Sequence, residues 1–250
     1  MKTQKSATFR KSALFSSVAM LLVATVALGT ATYAWFSQNT TATASGINVS
    51  STSAEGLYIS ETDSNYSGSV TWTDTAVFAP ASSAFANLTA PVFYSTTTEN
   101  ADGTADVAAG AAAVNATDSG TNYYLAKDLY VKAANDTTKN LKVAVTVAGT
   151  ASNYARVAIV DVDTADTGMK GIVSGEAETY KAIASATASS ITYSEDMNAT
   201  TSITDALVTG MGTTPHHYKV YVWFEGCDSQ CTTSNSGKGL DVSLQFTLAE

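Results

Sequence analysis

The chain has 250 residues, of which 45% are hydrophobic, 9% aromatic and only 14% charged, with 13 basic side chains against 22 acidic ones. A soluble domain ordinarily carries about 25% charged residues, so Thr, Ser, Ala and Asn occupy places that charges usually take. Lys2, Lys5, Arg10 and Lys11 all precede one apolar run, and no acid comes before Glu55. Without those four, nine basic residues face 22 acidic ones, a net charge of −13. A surface this acidic repels phosphate backbones, which argues against nucleic-acid binding. Two cysteines are too few for a disulfide-framework miniprotein or a multi-cysteine zinc module. The apolar content is enough to bury a core, so disorder throughout is not expected.

The first element is the leader. Residues 2–11 are basic, 13–31 carry no charge, and Thr32-Tyr33-Ala34 puts small residues at the −3 and −1 positions of a cut between Ala34 and Trp35. A basic head, an apolar stretch in a hydrophobic helix and a small-x-small site make a secretory signal peptide over 1–34. The alternative is an uncleaved anchor, since about 20 apolar residues span a bilayer. In either case the remainder lies outside the membrane, which the protein meets only through its leader.

After Ala34 the pattern is strand upon strand. Gly46–Ser50, Gly56–Ser60 and Ser69–Thr73 come first, then Asn122–Lys132, then Leu141–Val147, where Leu141, Val143, Val145 and Val147 alternate with Lys142, Ala144 and Thr146. Tyr154–Val162, Thr179–Ala184 and Val220–Phe224 follow, and Val242, Leu244, Phe246 and Leu248 close the chain with a second clean alternation. Period-two patterning rich in Val, Thr, Tyr and Ile predicts half-buried strands. With no amphipathic helices between them, the expected fold is an all-β antiparallel sandwich forming a single domain over 46–250. Phe78–Leu88 reads as a loop or one short helix, Thr96–Asp118 as a surface loop, and Thr200–Leu207 as a helical turn capped by Thr201 or Ser202.

Chemistry is sparse. His216 and His217 are the only histidines, and neighbours on a strand point to opposite faces, so they are poorly placed to share a metal. No zinc-protease segment, nucleophile elbow, phosphate loop or dinucleotide fingerprint occurs. The expectation is a protein that is not an enzyme, with no catalytic residues and no cofactor. Asp161, Asp163 and Asp166 before Gly168 resemble part of a calcium loop, but Ala165 stands where an oxygen ligand is needed and the closing Glu is missing. A solvated hairpin turn is the preferred reading, with these three aspartates as a weak metal candidate. Cys227 and Cys231, with three residues between them, fit a local disulfide in an oxidising compartment; free thiols or pairing with another chain are the alternatives. Trp72 and Trp223 are candidate sugar-stacking residues, although both fall inside expected strands.

Thr32-Tyr33-Ala34-Trp35-Phe36-Ser37, followed by Ala42-Thr43-Ala44-Ser45-Gly46-Ile47-Asn48-Val49, resembles the start of the TasA–camelysin group of secreted Gram-positive proteins, which are processed by a SipW-type signal peptidase. Lys127–Asn135 running into Leu141-Lys142-Val143 is similar in style to that group. The segment from Tyr221 to Cys231 is similar to endings of uncharacterised clostridial relatives. The resemblance implies a jelly-roll sandwich and a biofilm-matrix or cell-surface subunit. It also implies that the segment freed by cleavage, 35–45, is a donor strand given to the next copy, carried here by Trp35, Phe36, Ser37, Thr41, Thr43 and Ala44. The residues agree on their own terms: Trp35–Ser45 has β propensity, no proline and no charge. Such a strand adds main-chain hydrogen bonds to an open sheet edge, and head-to-tail addition yields filaments. The alternative is that Trp35 and Phe36 fold back onto their own domain or stay disordered. Expected partners are copies of the same chain, with other matrix proteins or polysaccharide beyond them. The second functional reading is a cell-surface adhesion or carbohydrate-binding module.

Overall fold

The computed structural model describes Met20 and residues 44–51, 56–72, 78–88, 90–96, 98–99, 105–106, 112–118, 121–163, 168–187, 190–231 and 239–250. The chain divides into two units, Met1–Asn39 and Thr40–Glu250. Every described residue except Met20 belongs to the second. That unit is all-β, and among its described residues there is no helix.

Nine strands make two larger sheets: β1 (Ala44–Ser51), β2 (Leu57–Ser60), β3 (Ser69–Trp72), β4 (Tyr124–Ala133), β5 (Asn140–Ala148), β6 (Ala155–Asp161), β7 (Gly168–Val173), β8 (His216–Phe224) and β9 (Leu240–Ala249). One sheet has the order β5-β9-β1-β3, the other β7-β6-β8-β4-β2. All their pairings are antiparallel but one: β1 runs parallel to β9, with Ile47 opposite Val242 and a register shift between Ala44 and Ile47. This departs from the wholly antiparallel sandwich expected from sequence. A parallel pair needs a long connection rather than a hairpin, and here nearly the whole unit separates the two strands.

The two sheets share one apolar core in a sandwich-like arrangement. Val143, Val145, Val242, Leu244 and Phe246 come from the four-stranded sheet, and Ile59, Leu129, Val131, Val157, Ile159, Val220 and Val222 from the five-stranded one. β9 shows the alternation plainly: Leu240, Val242, Leu244 and Phe246 are buried, while Asp241, Ser243 and Gln245 are exposed. Burying each such side chain contributes about 1.5–3 kcal/mol against leaving it in water.

A second apolar layer covers the other face of the five-stranded sheet. Phe85 packs edge-on against Tyr221 and Phe93 edge-on against Trp223, and Phe93 stacks on Tyr124 with centroids 4.0 Å apart. Tyr180, Ala182 and Ala199 complete the cover over Ala158, Val160 and Ile172. All seven residues of β6 are therefore buried, which explains why that strand, apart from Arg156 and Asp161, reads as an apolar run rather than an alternation.

Three expected local structures are corrected. Phe78–Leu88 is neither a pure loop nor a helix: Ala81–Ser82 pairs with Phe93–Ser95 as a strand. Thr96–Asp118 is not wholly a surface loop, since Ala113–Val114 extends that small sheet and Thr96 is buried. Thr200–Leu207 makes no helical turn. Leu207 N–H donates to Leu141 O at 2.8 Å and Leu141 N–H to Val208 O at 2.9 Å, so tertiary pairing overrides the local capping signal.

Candidate functional site

The cleavage pair Ala34 and Trp35, and the donor-strand residues Phe36, Ser37, Thr41 and Thr43, lie outside the described residues. Ala44 begins β1, opposite Leu240. Ala44 and Ser45, expected in the donor segment, instead belong to a central strand of their own domain's four-stranded sheet.

β5 forms one edge of that sheet. Its inner side pairs with β9 from Asn140 to Ala148. Its outer side bonds to Val208 and Leu207 only at Leu141; from Val143 to Ala148 nothing among the described residues pairs with it. Those six residues, Val143-Ala144-Val145-Thr146-Val147-Ala148, include no charge and no proline. Val143 and Val145 point to the core, and Ala144 and Thr146 are exposed. Natural edges are usually blunted by lysine, proline, bulges or covering chain. The edges of the five-stranded sheet follow that rule. Ile59 of β2 exchanges two backbone hydrogen bonds with Ser67, and beyond β7 the Thr200 backbone bonds to Ile172 and Ser174.

The most polar part of the interior is a buried ionic cluster around Arg156, the only arginine after the leader. Its Nη1 donates to Asn153 O at 2.7 Å, Ala155 O at 3.0 Å and Ser174 Oγ at 2.9 Å. Its Nη2 donates to Asp228 Oδ2 at 2.8 Å and pairs with Glu178, while the guanidinium carbon sits 4.8 Å from the Tyr180 ring centroid. Asp228 Oδ1 accepts from Gln230 N–H at 2.7 Å, which shapes the turn from Glu225 to Cys231. Glu225, also fully buried, accepts from Trp223 Nε1 at 3.0 Å and Cys227 N–H at 3.1 Å. Burial pushes the Glu225 and Asp228 carboxyls above their ordinary range, and the Arg156 charge pulls both partly back.

Sequence reasoning named the cysteines of this turn and missed Arg156, Asp228 and Glu225. A signal was present: a lone arginine in the apolar run Ala155-Arg156-Val157-Ala158-Ile159-Val160 demands buried partners.

The expected Cys227–Cys231 disulfide is not formed; both are free thiols. The two side chains pack into different apolar clusters. Cys227 lies with Ile183 and Tyr94, Cys231 against the core between the sheets. Desolvation pushes both thiols up.

The other sequence candidates separate as follows. Asp161 is fully buried rather than solvated and is paired with Lys170 Nζ at 3.2 Å. Asp163 accepts from His217 N–H at 3.0 Å, and Asp166 lies outside the described residues. Among the described residues no group of three or more His, Cys, Asp and Glu is placed to hold a metal. His217 Nε2 meets Asp128 Oδ1 at 2.8 Å and its ring stacks on Tyr130, while His216 Nδ1 stands 3.7 Å from Asp163. Trp72 and Trp223 are both buried, which removes them as sugar-stacking platforms. Comparison with family models, curated proteins and solved structures finds no match to this chain.

Proposed function

We propose that this protein is a secreted, non-catalytic structural subunit that polymerises outside the cell, as a matrix fibre or surface layer, by donating the segment Trp35–Thr43, which precedes β1, to the sheet of the next copy. The carrying observation is the charge-free edge from Val143 to Ala148, unpaired among the described residues, in the same sheet that receives β1. Six residues at about 3.4 Å each offer roughly 20 Å of main-chain donors and acceptors to an added strand. Donor and acceptor suit each other chemically, both being neutral, proline-free and rich in β-forming residues. The acidic remainder keeps free subunits apart by mutual repulsion.

In this reading the leader is cut after Ala34, which frees the donor, and the domain is a jelly roll. Support for the jelly roll comes from the path of the chain, which passes from sheet to sheet at each step from β1 to β6 and returns at β9.

Negative-stain imaging of purified chain beginning at Trp35 tests the proposal. Filaments are expected, and a chain beginning at Ala44, which keeps all of β1, should remain soluble and monomeric. Equal polymerisation of the shortened chain would overturn strand donation.

A further inference from the structure

We propose that free subunits pair with one another through the open stretch of β5, forming a two-fold dimer in which each copy covers the other's acceptor edge. The inference rests on the reading of β5 as the acceptor and adds how that edge is guarded before a donor arrives.

Hydrogen-bond phase fixes which groups the edge offers. Leu141 N–H donates to Val208 O and Leu141 O accepts from Leu207 N–H, so both main-chain groups of Leu141 point away from β9. Residues along a strand alternate in this respect, and the β5–β9 register runs unbroken from Asn140 to Ala148. Val143, Val145 and Val147 therefore present their N–H and C=O groups outward. The stretch is limited at both ends. Leu207 and Val208 occupy the edge at Leu141, and the chain turns at Gly149, where φ is 96°.

A second β5 fills this window in one register. Run antiparallel about a two-fold axis at Val145, it sets Val145 opposite its own copy and Val143 opposite the partner's Val147, with two hydrogen bonds in each such pair. A slip of two residues either way brings one valine against the edge taken by Leu207, or past the turn. A slip of one residue sets core faces against exposed ones. The opposed side chains suit each other: Val meets Val on the core side, and Ala144 meets the partner's Thr146 on the exposed side.

Charge favours a second copy as the occupant. Ala148 is paired with Asp241 of β9, and this register sets the partner's Lys142 on the other side of Ala148. Adjacent strands are about 4.8 Å apart, so the two opposite charges stand roughly 10 Å apart at the backbone, with only an alanine between them. A lysine side chain spans that gap, and the contact occurs twice. Within one copy, Lys142 and Asp241 lie at opposite ends of the window, about 20 Å apart.

One strand per copy falls short of the roughly 1,200 Å² of a standard interface, so the dimer is weak, with a Kd on the order of 100 µM. It dissociates at the dilution used for negative stain. At high concentration it holds subunits with their acceptor edges closed, by mass action.

Sedimentation velocity on the chain beginning at Ala44, which keeps every described strand and lacks the donor, tests this. A reversible dimer is expected between about 10 µM and 1 mM. Lys142→Glu alone and Asp241→Lys alone should each weaken it roughly fivefold, and the two together should restore it to within about twofold. Because the two positions are far apart in one copy, that recovery reports a contact between copies. A monomer throughout the range, or a double variant as weak as the singles, overturns the proposal. Filaments from the chain beginning at Trp35 report separately on strand donation, so dimer and donation fail by different measurements.

Discussion

Arg156 and Asp228 meet at 2.8 Å with neither side chain exposed to solvent, joining the buried strand β6 to the turn after β8. A pair of this kind is a weak source of net stability, because desolvating both charges offsets most of their attraction. Its consequence is positional. Asp228 holds the guanidinium with one oxygen and the Gln230 N–H with the other, so the turn can close only one way.

Breaking that pair from one side should be costly. Asp228→Ala leaves the Arg156 charge buried with only Glu178 opposite, and is expected to destabilise by about 3–5 kcal/mol. Arg156→Met combined with Asp228→Leu should cost less than Asp228→Ala alone, since no buried charge is then stranded on that side. Urea unfolding of the three proteins measures the difference.

Stability should also depend on Glu225 in a stated direction. Its folded-state carboxyl is raised above the ordinary value of 4.5, chiefly by desolvation. Between the unfolded and folded values the native state binds more protons, so stability falls as pH rises through that window and is greatest below it. Asp161 and Asp228 are raised likewise, and lower repulsion on acidification acts in the same sense. Urea unfolding from pH 7 downward should therefore show a gain toward the ordinary carboxylate range. Glu225→Gln should flatten that slope; an unchanged slope would remove Glu225 as its source.

The free thiols give a third expectation. Burial raises both, so little thiolate is present at neutral pH, and each packs into its own apolar cluster. Reaction with a disulfide reagent at about pH 7.5 should run more than about a hundredfold slower than with free cysteine, and become fast in urea. Mass spectrometry of the native protein should detect two free thiols. A quantitative native Cys227–Cys231 bond would contradict this packing.

The legible parts of this fold were those where one physical rule acts alone. β5 and β9 are half-buried, so alternation alone placed them. β6 was found as a strand, but its sequence could not say that two layers cover it, because both faces are apolar. Thr200–Leu207 was misread since its caps are local, whereas the bonds that shape it come from Leu141, some 60 residues earlier. The cysteine spacing suggested a bond, whereas both thiols are free and pack into different apolar clusters. Arg156 carried the strongest unread signal, and its partners at 174, 178 and 228 are assembled only by the fold.

Gly226 should tolerate no side chain. A Cβ there would lie 2.2 Å from Thr96 Oγ1 and 2.4 Å from its Cγ2, where Gly226 N–H bonds to Ala81 O at 3.0 Å. Gly226→Ala is expected to destabilise by about 1–3 kcal/mol through overpacking. Adding Thr96→Ala should recover part of the loss, because it removes two of the three clashing atoms. A double variant no more stable than Gly226→Ala would place the strain elsewhere.

The β5 edge can be tested without touching the core. Ala144 and Thr146 are exposed, so lysine at either position leaves the buried Val143 and Val145 in place. Surface changes of this kind usually alter stability by less than about 0.5 kcal/mol. A lysine on an open edge disfavours pairing with an incoming strand, especially a neutral, apolar one. Ala144→Lys with Thr146→Lys should therefore retain the far-ultraviolet dichroism and urea midpoint of the parent while abolishing filaments in negative stain. Mixing this variant with parent chains at equal amounts should shorten parent filaments, because the variant still donates Trp35–Thr43 but cannot accept. If the doubly substituted chain elongates as the parent does, β5 is not the acceptor edge, and the donated strand must be received at another edge, such as β3.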